Sequence, residues 1–533
     1  MGPKRYETSR NFHPGGLPMR GVRRKYVLLY LLFALLLAGA GPAVGQSPQF
    51  GGELRLARDA DSATMDPIAT TQNLDLWVFI NIYDTLVRQG DDARSIVPGL
   101  AERWTVSPDG KVYTFYLRPN LKFSDGTPVR ASDVVFAIER ARTAKEAAWA
   151  WTLSSVAKVE APTPATVRIT LKQKWAPFLA DIALFDTAVY PESYFKNVGA
   201  KGLAAKPLGS GPFYLAEWKR GDYILLKKNP HYWDAKNVRL DAVRFLVVPD
   251  DNTRILKLLS GEVDAIGFVP FSRINELKNH PDVTMILDPS TRTDYLMFNH
   301  KKKPFQDRRV RQAISYAIDR NEIVRSILFG HGEPASSFLP KGAVAWDPTL
   351  RPYPYDPGTA LRLMKESSVP NGFATSLLIS AGDVTWSQVA TFIKEELKAI
   401  GITVNIQQID PTQLIDTQSK GGYEMTLQYW TNDIIDPDEL VSFAIDSTQG
   451  GNSFFTFYNN PQANRLAAQG RVVSDPAKRE QIYRLIQRLW YEDQHMLALY
   501  HSPFRNATRK WVHDFHQNPF GYWSLTRAWL SRR

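Results

Sequence analysis

Apolar and polar side chains alternate over residues 425–430, and this period of two predicts a β-strand. A polar segment, residues 431–433, follows the strand, and the Asp-Pro-Asp of residues 436–438 predicts a turn. Trp430 and several carboxylates therefore leave the end of one strand together. Such a group can hold a cationic, partly apolar ligand. The pattern alone also fits a solvated loop after an ordinary strand, because turns collect Asp and Pro.

The rest of the pattern predicts strands interleaved with helices. Alternation predicts strands at residues 52–57, 112–117 and 295–299. Helical spacing of apolar residues predicts a helix at about residues 74–87 and another over residues 310–318.

A further helix is expected after Ser132, with Ser132 as its N-cap. A βαβ unit is predicted over residues 375–406, with Gly401 just beyond the end of its helix. Strands that alternate with helices in this way predict a largely parallel sheet. Ligands of such sheets lie beyond the carboxyl ends of the strands. Two loops qualify by position, residues 381–383 and residues 431–433.

The length of 533 residues suggests roughly three domain-sized units. Apolar residues make up 44% of the chain and aromatic residues 12%, which is ample for large cores. The net charge of +11 is uneven, because residues 1–45 carry seven cations and one anion. The remaining chain therefore carries only +5, which is weak evidence for a polyanionic partner, and no nucleic-acid partner is expected.

Four basic residues and an apolar run, residues 26–38, precede a segment of small residues. This order predicts a secretory signal peptide over residues 1–45. The run is about 13 residues, short of the ~20 that a membrane-spanning helix needs. The chain has no cysteine, which excludes disulfides, thiolate zinc sites and a lipidated N-terminal anchor. We therefore expect a periplasmic protein that is exported through a cleaved signal peptide and is not a lipoprotein.

Catalytic motifs form no coherent set. Ser193 and Lys196 match Ser-x-x-Lys, but the partner signatures of that motif are absent. His513 and His516 have a helical metal-ligand spacing, but no third ligand is evident. We expect a binding protein rather than an enzyme, with no metal and no cofactor. A secreted hydrolase is the alternative class, and turnover of a peptide library would support it.

Several sequence blocks resemble the family 5 solute-binding proteins, the dipeptide and oligopeptide receptors of bacterial ABC importers. The resemblance runs in order from about residue 50 to residue 525. Its longest blocks are Ala101-Glu-Arg-Trp-Thr-Val-Ser-Pro-Asp-Gly-Lys-Val-Tyr-Thr-Phe115, Lys122-Phe-Ser-Asp-Gly-Thr-Pro128, Lys228-Asn-Pro-His-Tyr-Trp233 and Arg309-Val-Arg-Gln-Ala-Ile-Ser-Tyr-Ala-Ile-Asp-Arg320.

The resemblance implies an α/β, two-lobed periplasmic-binding-protein fold, with mixed sheets flanked by helices. The first lobe would take residues 46–292, with an extra subdomain inserted at about 75–200. The second lobe would take residues 293–498, and residues 499–533 would return to the first. Two crossovers, near Thr291 and Leu497, would form a hinge, and ligand would shift the equilibrium between open and closed forms.

The resemblance also implies site residues. Peptide-binding members carry an Asp a few residues past a Trp, and this Asp pairs with the ligand's α-amino group. The segment Trp430-Thr431-Asn-Asp433 matches that pattern, which makes Asp433 the amine-binding residue. Asp61 and Ser62 match a first-lobe loop that faces the ligand. Tyr295 falls where some oligopeptide receptors place a ligand-facing tyrosine.

One feature departs from the family. Dipeptide receptors hold the ligand's carboxylate with an Arg beyond the strand that corresponds to residues 375–380, and residues 380–386 here contain none. The expected ligand is a small peptide or similar solute, delivered to the permease subunits of an ABC transporter by a monomeric receptor. An oligosaccharide, an opine or a nickel chelate is the alternative ligand on the same fold, and a chaperone-like role occurs in the family as well.

Overall fold

The structure is a computed structural model that describes residues 47–449, 453–523 and 525–531. The predicted signal peptide, residues 1–45, lies outside this range. Within it, no helix combines the length and the apolar character that crossing a membrane requires.

A sheet of seven strands, here called the first sheet, is built mainly from the N-terminal half of the chain. Glu53–Arg58 lies at its centre and pairs in parallel with both neighbours. Leu54 and Leu56 alternate with more exposed residues on this strand and are fully buried in the core beneath it. The strands are, from edge to edge, Val283–Asp288, Phe504–Arg509, Ala265–Ile266, Glu53–Arg58, Ala242–Val247, Tyr223–Lys228 and Phe213–Lys219.

A sheet of six strands, here called the second sheet, carries the strand that was predicted at residues 425–430. That strand, Met425–Trp430, lies between Thr293–Phe298 and Phe373–Ser380. The predicted βαβ unit is present, because Phe373–Ser380 and Ile402–Ile409 pair in parallel around the helix Val384–Lys398. The full order is Glu333–Pro334, Met496–His501, Thr293–Phe298, Met425–Trp430, Phe373–Ser380 and Ile402–Ile409.

The prediction of a largely parallel sheet is wrong. Three of the five pairings described in the second sheet are antiparallel, and Thr293–Phe298 is antiparallel to both of its neighbours. The alternation of strands and helices in the sequence predicted the strand direction correctly for the βαβ unit but not for the rest of this sheet. Along the chain, Thr293–Phe298 is the first strand of this sheet and Met496–His501 is the last.

The chain passes between the two sheets twice, at residues 289–292 and at residues 502–503. The two passages are joined, because the Ser290 hydroxyl donates to the Ser502 carbonyl at 2.6 Å. The strand Met496–His501 continues past residue 498. The residue boundaries expected above for the two lobes and for the inserted subdomain stay predictions.

A third, four-stranded antiparallel sheet is formed by the part of the chain between the strands Glu53–Arg58 and Phe213–Lys219 of the first sheet. Its strands, from edge to edge, are Ala101–Val106, Val112–Leu117, Thr166–Leu171 and Val156–Thr163. A short hairpin, Val87–Gln89 with Ile96–Pro98, precedes it. A second two-stranded pair, Val512–His513 with Trp529–Leu530, follows the return to the first sheet.

Two local predictions are wrong. The helix expected at about 74–87 spans only Asn73–Phe79, because the Asn81 amide caps the Trp77 carbonyl at 3.0 Å and ends the last turn. Ser132 is not an N-cap, because the helix Ala131–Thr143 begins before it. The Asp133 carboxylate instead accepts the Arg130 amide at 2.9 Å.

The helices cover the faces of the sheets. In chain order the α-helices are Asn73–Phe79, Ala131–Thr143, Phe178–Asp181, Glu192–Ala205, Asp251–Ser260, Ile274–Lys278, Lys303–Gln306, Arg308–Ala317, Arg320–Glu322, Pro357–Lys365, Val384–Lys398, Pro411–Ser419, Asp438–Ala444, Pro461–Val472 and Pro476–Asp493. Short 3-10 turns occur at Phe185–Thr187, Ala235–Asn237 and Phe271–Arg273, and a π-turn occurs at Ile323–Ile327.

Candidate functional site

The indole at the end of the central strand is held by an aromatic cluster. Trp430 pairs in register with Thr293 on the neighbouring strand. Its ring lies 4.4 Å from that of Phe443 and 5.4 Å from that of Phe454, measured between centroids. The cluster fixes the direction in which the chain leaves the strand, so residues 431–437, here called the strand-end loop, start from a rigid position.

Two carboxylates, one in this loop and one directly after it, are paired with arginines. Asp436 accepts two hydrogen bonds from the Arg479 guanidinium, at 2.6 and 2.7 Å. Asp438 accepts from Arg471 Nε at 3.1 Å and from the Tyr483 hydroxyl at 2.8 Å. These pairs are internal to the second sheet and its helices. Their charge is therefore neutralised and is not available to a ligand.

Glu439 fastens the strand-end loop by accepting main-chain donors. Its Oε2 accepts the amides of Asp433 and Ile434 at 3.0 and 2.9 Å. Its Oε1 accepts Trp430 Nε1 at 3.2 Å. Glu439 is only 1% exposed. Burial and the nearby Asp433 raise the pKa of the Glu439 carboxyl, whereas the amide donors oppose this shift.

Asp433 is the carboxyl of this group that lacks a partner. The residue is 5% exposed, and its Oδ1 is buried without a hydrogen-bond donor among the described residues. Burial raises the pKa of Asp433 to about 8. A buried, unpaired carboxyl is unfavourable unless a proton or a cation neutralises it. Asp433 can therefore form a charge-assisted bond to an ammonium group.

Residues from outside the second sheet complete the surroundings of Asp433. The Gln89 side chain, at the end of the strand Val87–Gln89, donates from Nε2 to the main-chain carbonyl of Asp433. The Trp149 ring lies 6.3 Å from the Trp430 ring. The charges of Asp433 and Glu439 add to burial in raising the pKa of the Tyr522 hydroxyl, which therefore lies near both carboxyls.

The first-lobe residues expected to face a ligand make internal bonds. Asp61 accepts Trp218 Nε1 at 3.1 Å and the Gly221 amide at 2.9 Å. The Ser62 hydroxyl donates to the Leu74 carbonyl and accepts from the Arg58 guanidinium, both at 2.8 Å. These bonds give both side chains a structural task, and their role in ligand binding stays a prediction.

Tyr295 lies on the strand Thr293–Phe298, and Thr431 directly follows the neighbouring strand Met425–Trp430. Tyr295 is fully buried, and its hydroxyl donates to the Phe338 carbonyl at 2.9 Å. Thr431 is 5% exposed and directly follows Trp430. The structure thus brings Trp430, Thr431 and Asp433 together at one strand end. Whether Tyr295 contacts a ligand stays a prediction.

The loop in which the family carries an Arg holds a carboxylate instead. Asp383 accepts the Trp386 amide at 2.8 Å and so caps the helix Val384–Lys398. A guanidinium stands near it, that of Arg292, and burial raises the pKa of Asp383 more than Arg292 lowers it. Arg292, however, is bonded to Asp294 through two contacts of 2.8 Å.

Reading the sequence missed three residues near Asp433. Glu439 lies in the same sequence segment as Asp433. The sequence pattern of that segment does not distinguish a carboxylate that binds the loop's main chain from one that binds a ligand. Gln89 and Tyr522 come from distant parts of the chain and carry no sequence signal. Only the folded structure places them beside the strand end.

Comparison with known proteins places these features in context. The model of the family described as "Bacterial extracellular solute-binding proteins, family 5 Middle" matches residues 95–452. The glutathione-binding protein GsiB of Escherichia coli K12 is 30% identical over 500 residues, which cover 92% of this chain and 96% of that protein.

Two solved structures have the same fold. The ABC transporter-associated periplasmic binding protein DppA of Helicobacter pylori, in complex with the peptide STSA, is 29% identical with a TM-score of 0.83, over 90% of this chain and 98% of that one. AgaA of A. tumefaciens R10, in complex with agropinic acid, is 30% identical with a TM-score of 0.81, over 90% and 99%. The two-lobed α/β fold expected from the sequence is confirmed.

Proposed function

We propose that this chain, which belongs to the family 5 bacterial extracellular solute-binding proteins, captures a peptide-class solute through the solute's free amine. The family membership confirms the resemblance seen in the sequence motifs, and the named relatives are binding proteins. The proposal adds the ligand class and the residue that recognises it.

One observation carries the proposal: Asp433 is buried and its Oδ1 is unpaired, whereas the neighbouring Asp436 and Asp438 are bonded to arginines. An α-ammonium supplies the positive charge and the donors that Asp433 lacks. A ligand without a donor at that point leaves the carboxyl unpaired, which penalises its binding by about 1–3 kcal/mol or more. The site therefore selects for an amine.

The aromatic rings beside Asp433 suit the apolar part of a peptide. The Trp430 and Trp149 rings lie 6.3 Å apart and are tilted by 56° to each other. Such rings bury apolar surface and attract a nearby cation. Extended peptides add main-chain hydrogen bonds of the strand type. Together these interactions fit the first residue of a peptide.

A non-peptide ligand is the second candidate, and one observation favours it. The loop that would hold a ligand carboxylate carries Asp383 instead of Arg, and Arg292 is already bonded to Asp294. A ligand with an amine at one end and no free carboxylate at the other fits this arrangement. AgaA, at 30% identity, was solved in complex with agropinic acid, which supports a non-peptide ligand on a similar chain but not the absence of a carboxylate.

The remaining parts of the proposal concern the cell. We infer that the mature chain acts as a monomer in the periplasm, after removal of residues 1–45, and delivers its solute to the permease subunits of an ABC importer. The description of the Helicobacter pylori relative as ABC transporter-associated and periplasmic supports this role. Binding, rather than turnover, is the expected activity.

A melting screen tests the ligand class. Mature protein is unfolded and refolded to remove carried-over ligand, and melting is followed with peptides of two to five residues. The same peptides with acetylated amines, glutathione, an opine, oligosaccharides and nickel–histidine complete the panel. Binding to the native state raises the melting temperature. Shifts with free peptides that vanish on acetylation support the proposal. A shift with a sugar or chelate alone contradicts the peptide assignment.

A further inference from the structure

Gln89 connects the hairpin of Val87–Gln89 and Ile96–Pro98 to the strand-end loop of the second sheet. Its Nε2 donates to the Asp433 main-chain carbonyl, which fixes the orientation of the side-chain amide. The main chain of Asp433 is then held on both sides, because its amide nitrogen donates to Glu439. Only the Asp433 side chain is left to meet a ligand.

The same amide leaves a second acceptor unused. Gln89 Oε1 is buried and has no donor among the described residues, as is true of Asp433 Oδ1. Buried acceptors are nearly always satisfied in folded proteins, and each exception calls for a missing donor. Because Gln89 Nε2 bonds the main-chain carbonyl of Asp433, the two unused acceptors belong to residues that are in contact.

An ammonium group matches two neighbouring acceptors. It carries several N–H donors around one nitrogen, whereas a hydroxyl offers a single donor. We propose that Gln89 Oε1 is the second acceptor for the ligand's ammonium, alongside Asp433, so that the site requires an amine with at least two N–H groups. This inference rests on the proposed function and specifies the amine that the site accepts.

The arrangement also connects recognition with closure. Gln89 and Asp433 belong to parts of the chain that are associated with different sheets. An ammonium bonded to both adds a link between these parts, beside the direct bond from Nε2. A tertiary ammonium has one N–H and can donate to only one of the two acceptors, whereas a quaternary ammonium has no N–H and can donate to neither.

A graded set of ligands measures the number of donors. The probes are Ala-Ala-Ala with a free, an N-methyl, an N,N-dimethyl and an N,N,N-trimethyl amino terminus, all of which are cationic. The N-methyl form keeps two N–H groups and the dimethyl form keeps one. A charge-assisted hydrogen bond corresponds to about a tenfold or larger change in Kd. We expect wild-type Kd to rise at least tenfold from the N-methyl to the N,N-dimethyl ligand.

Variants separate the acceptor from the added bulk. In Gln89→Met, which lacks the acceptor, the step between the N-methyl and dimethyl ligands should fall below about threefold. In Gln89→Glu, which keeps an Oε acceptor, the step should persist. Arg94→Met is the matched control. It removes another contact between the same parts of the chain, the 2.8 Å bond from Arg94 Nη2 to the Gly342 carbonyl, without touching Asp433, and its step should equal that of the wild type.

Two results overturn the inference in distinguishable ways. A step of unchanged size in Gln89→Met shows that methyl bulk alone weakens binding and that Gln89 accepts no bond, while the amine proposal stands. Equal binding of the free and the N-acetylated tripeptide to wild type removes the amine site itself, and with it the role of Gln89. Melting of each ligand-free variant is measured first, and Gln89→Leu, which also lacks the acceptor, serves as the test if Gln89→Met does not fold.

Discussion

Replacing Asp433 with Asn should stabilise the ligand-free protein although it removes the ligand's partner. The pKa of Asp433 is about 8 in the structure, against about 3.9 for an unperturbed Asp. At pH 7 the native state must therefore hold a proton that the unfolded chain releases about three pH units lower. At about 1.36 kcal/mol per unit, this difference amounts to about 4 kcal/mol. Asparagine resembles the protonated carboxyl and avoids the penalty.

The sign of the pH dependence follows from the same shift. Between about pH 4 and pH 8 the folded protein binds more protons at Asp433 than the unfolded chain, so this residue lowers stability as the pH rises. The variant lacks that decrease. Its advantage over wild type should be near zero at pH 4, increase through pH 7 and level off above pH 8.

Asp436→Asn is the matched control, since it changes a carboxyl three positions along the same loop. Asp436 is bonded twice to Arg479, and both side chains are largely buried. Removing one partner of a buried ion pair costs about 3–5 kcal/mol. The two substitutions should therefore change stability in opposite directions.

Urea unfolding of the mature protein at several pH values between 4 and 8.5 measures both effects. A free energy of unfolding for Asp433→Asn that follows the wild-type curve at every pH would refute the reasoning. In that case Asp433 is hydrated or already paired in the ligand-free protein. Destabilisation by both substitutions would show that the Asp433 carboxylate has a partner.

Three further outcomes are expected. Binding of an amine ligand at pH 7 should release close to one proton, because the Asp433 carboxyl, with a pKa of about 8, must ionise when it pairs with the ammonium. Titration calorimetry in buffers of different ionisation enthalpy measures the number of protons released, and a binding enthalpy that does not depend on the buffer contradicts the prediction. Asp61→Ala should lower the free energy of unfolding by about 1–3 kcal/mol, since Trp218 and Gly221 lose their acceptor, and should leave ligand preference unchanged; lost binding at full stability would favour the ligand-facing role instead. Tyr295→Phe should cost about 1 kcal/mol in urea unfolding through its lost bond to Phe338, with unaltered affinity, whereas weaker binding would place the hydroxyl at the ligand.

The strand end was predictable because its signals are local. Alternation from Met425 onward located the strand, and the spacing of Trp430 and Asp433 matched the family pattern. The sequence alone could not show which of Asp433, Asp436 and Asp438 lacks an arginine partner. It depends on Arg471 and Arg479, which lie on helices further along the chain and pair with only two of the three.

Strand direction and long-range contacts were the least accessible features. The local βαβ pattern could not show that Thr293–Phe298 would enter the second sheet antiparallel to both neighbours. Gln89 shows the same limit for the site. Nothing around it in the sequence distinguishes it from a surface glutamine, because its partner, Asp433, is 344 positions away.

The central claim is that a free amine is recognised by Asp433, and one calorimetric titration tests it most directly. Refolded mature protein is titrated with Ala-Ala-Ala and with N-acetyl-Ala-Ala-Ala, beside the Asp433→Asn variant. We predict one saturable site for the free tripeptide and a loss of at least about 100-fold in affinity on acetylation or in the variant. Equal affinity for the two ligands, or full affinity in Asp433→Asn, would contradict the claim.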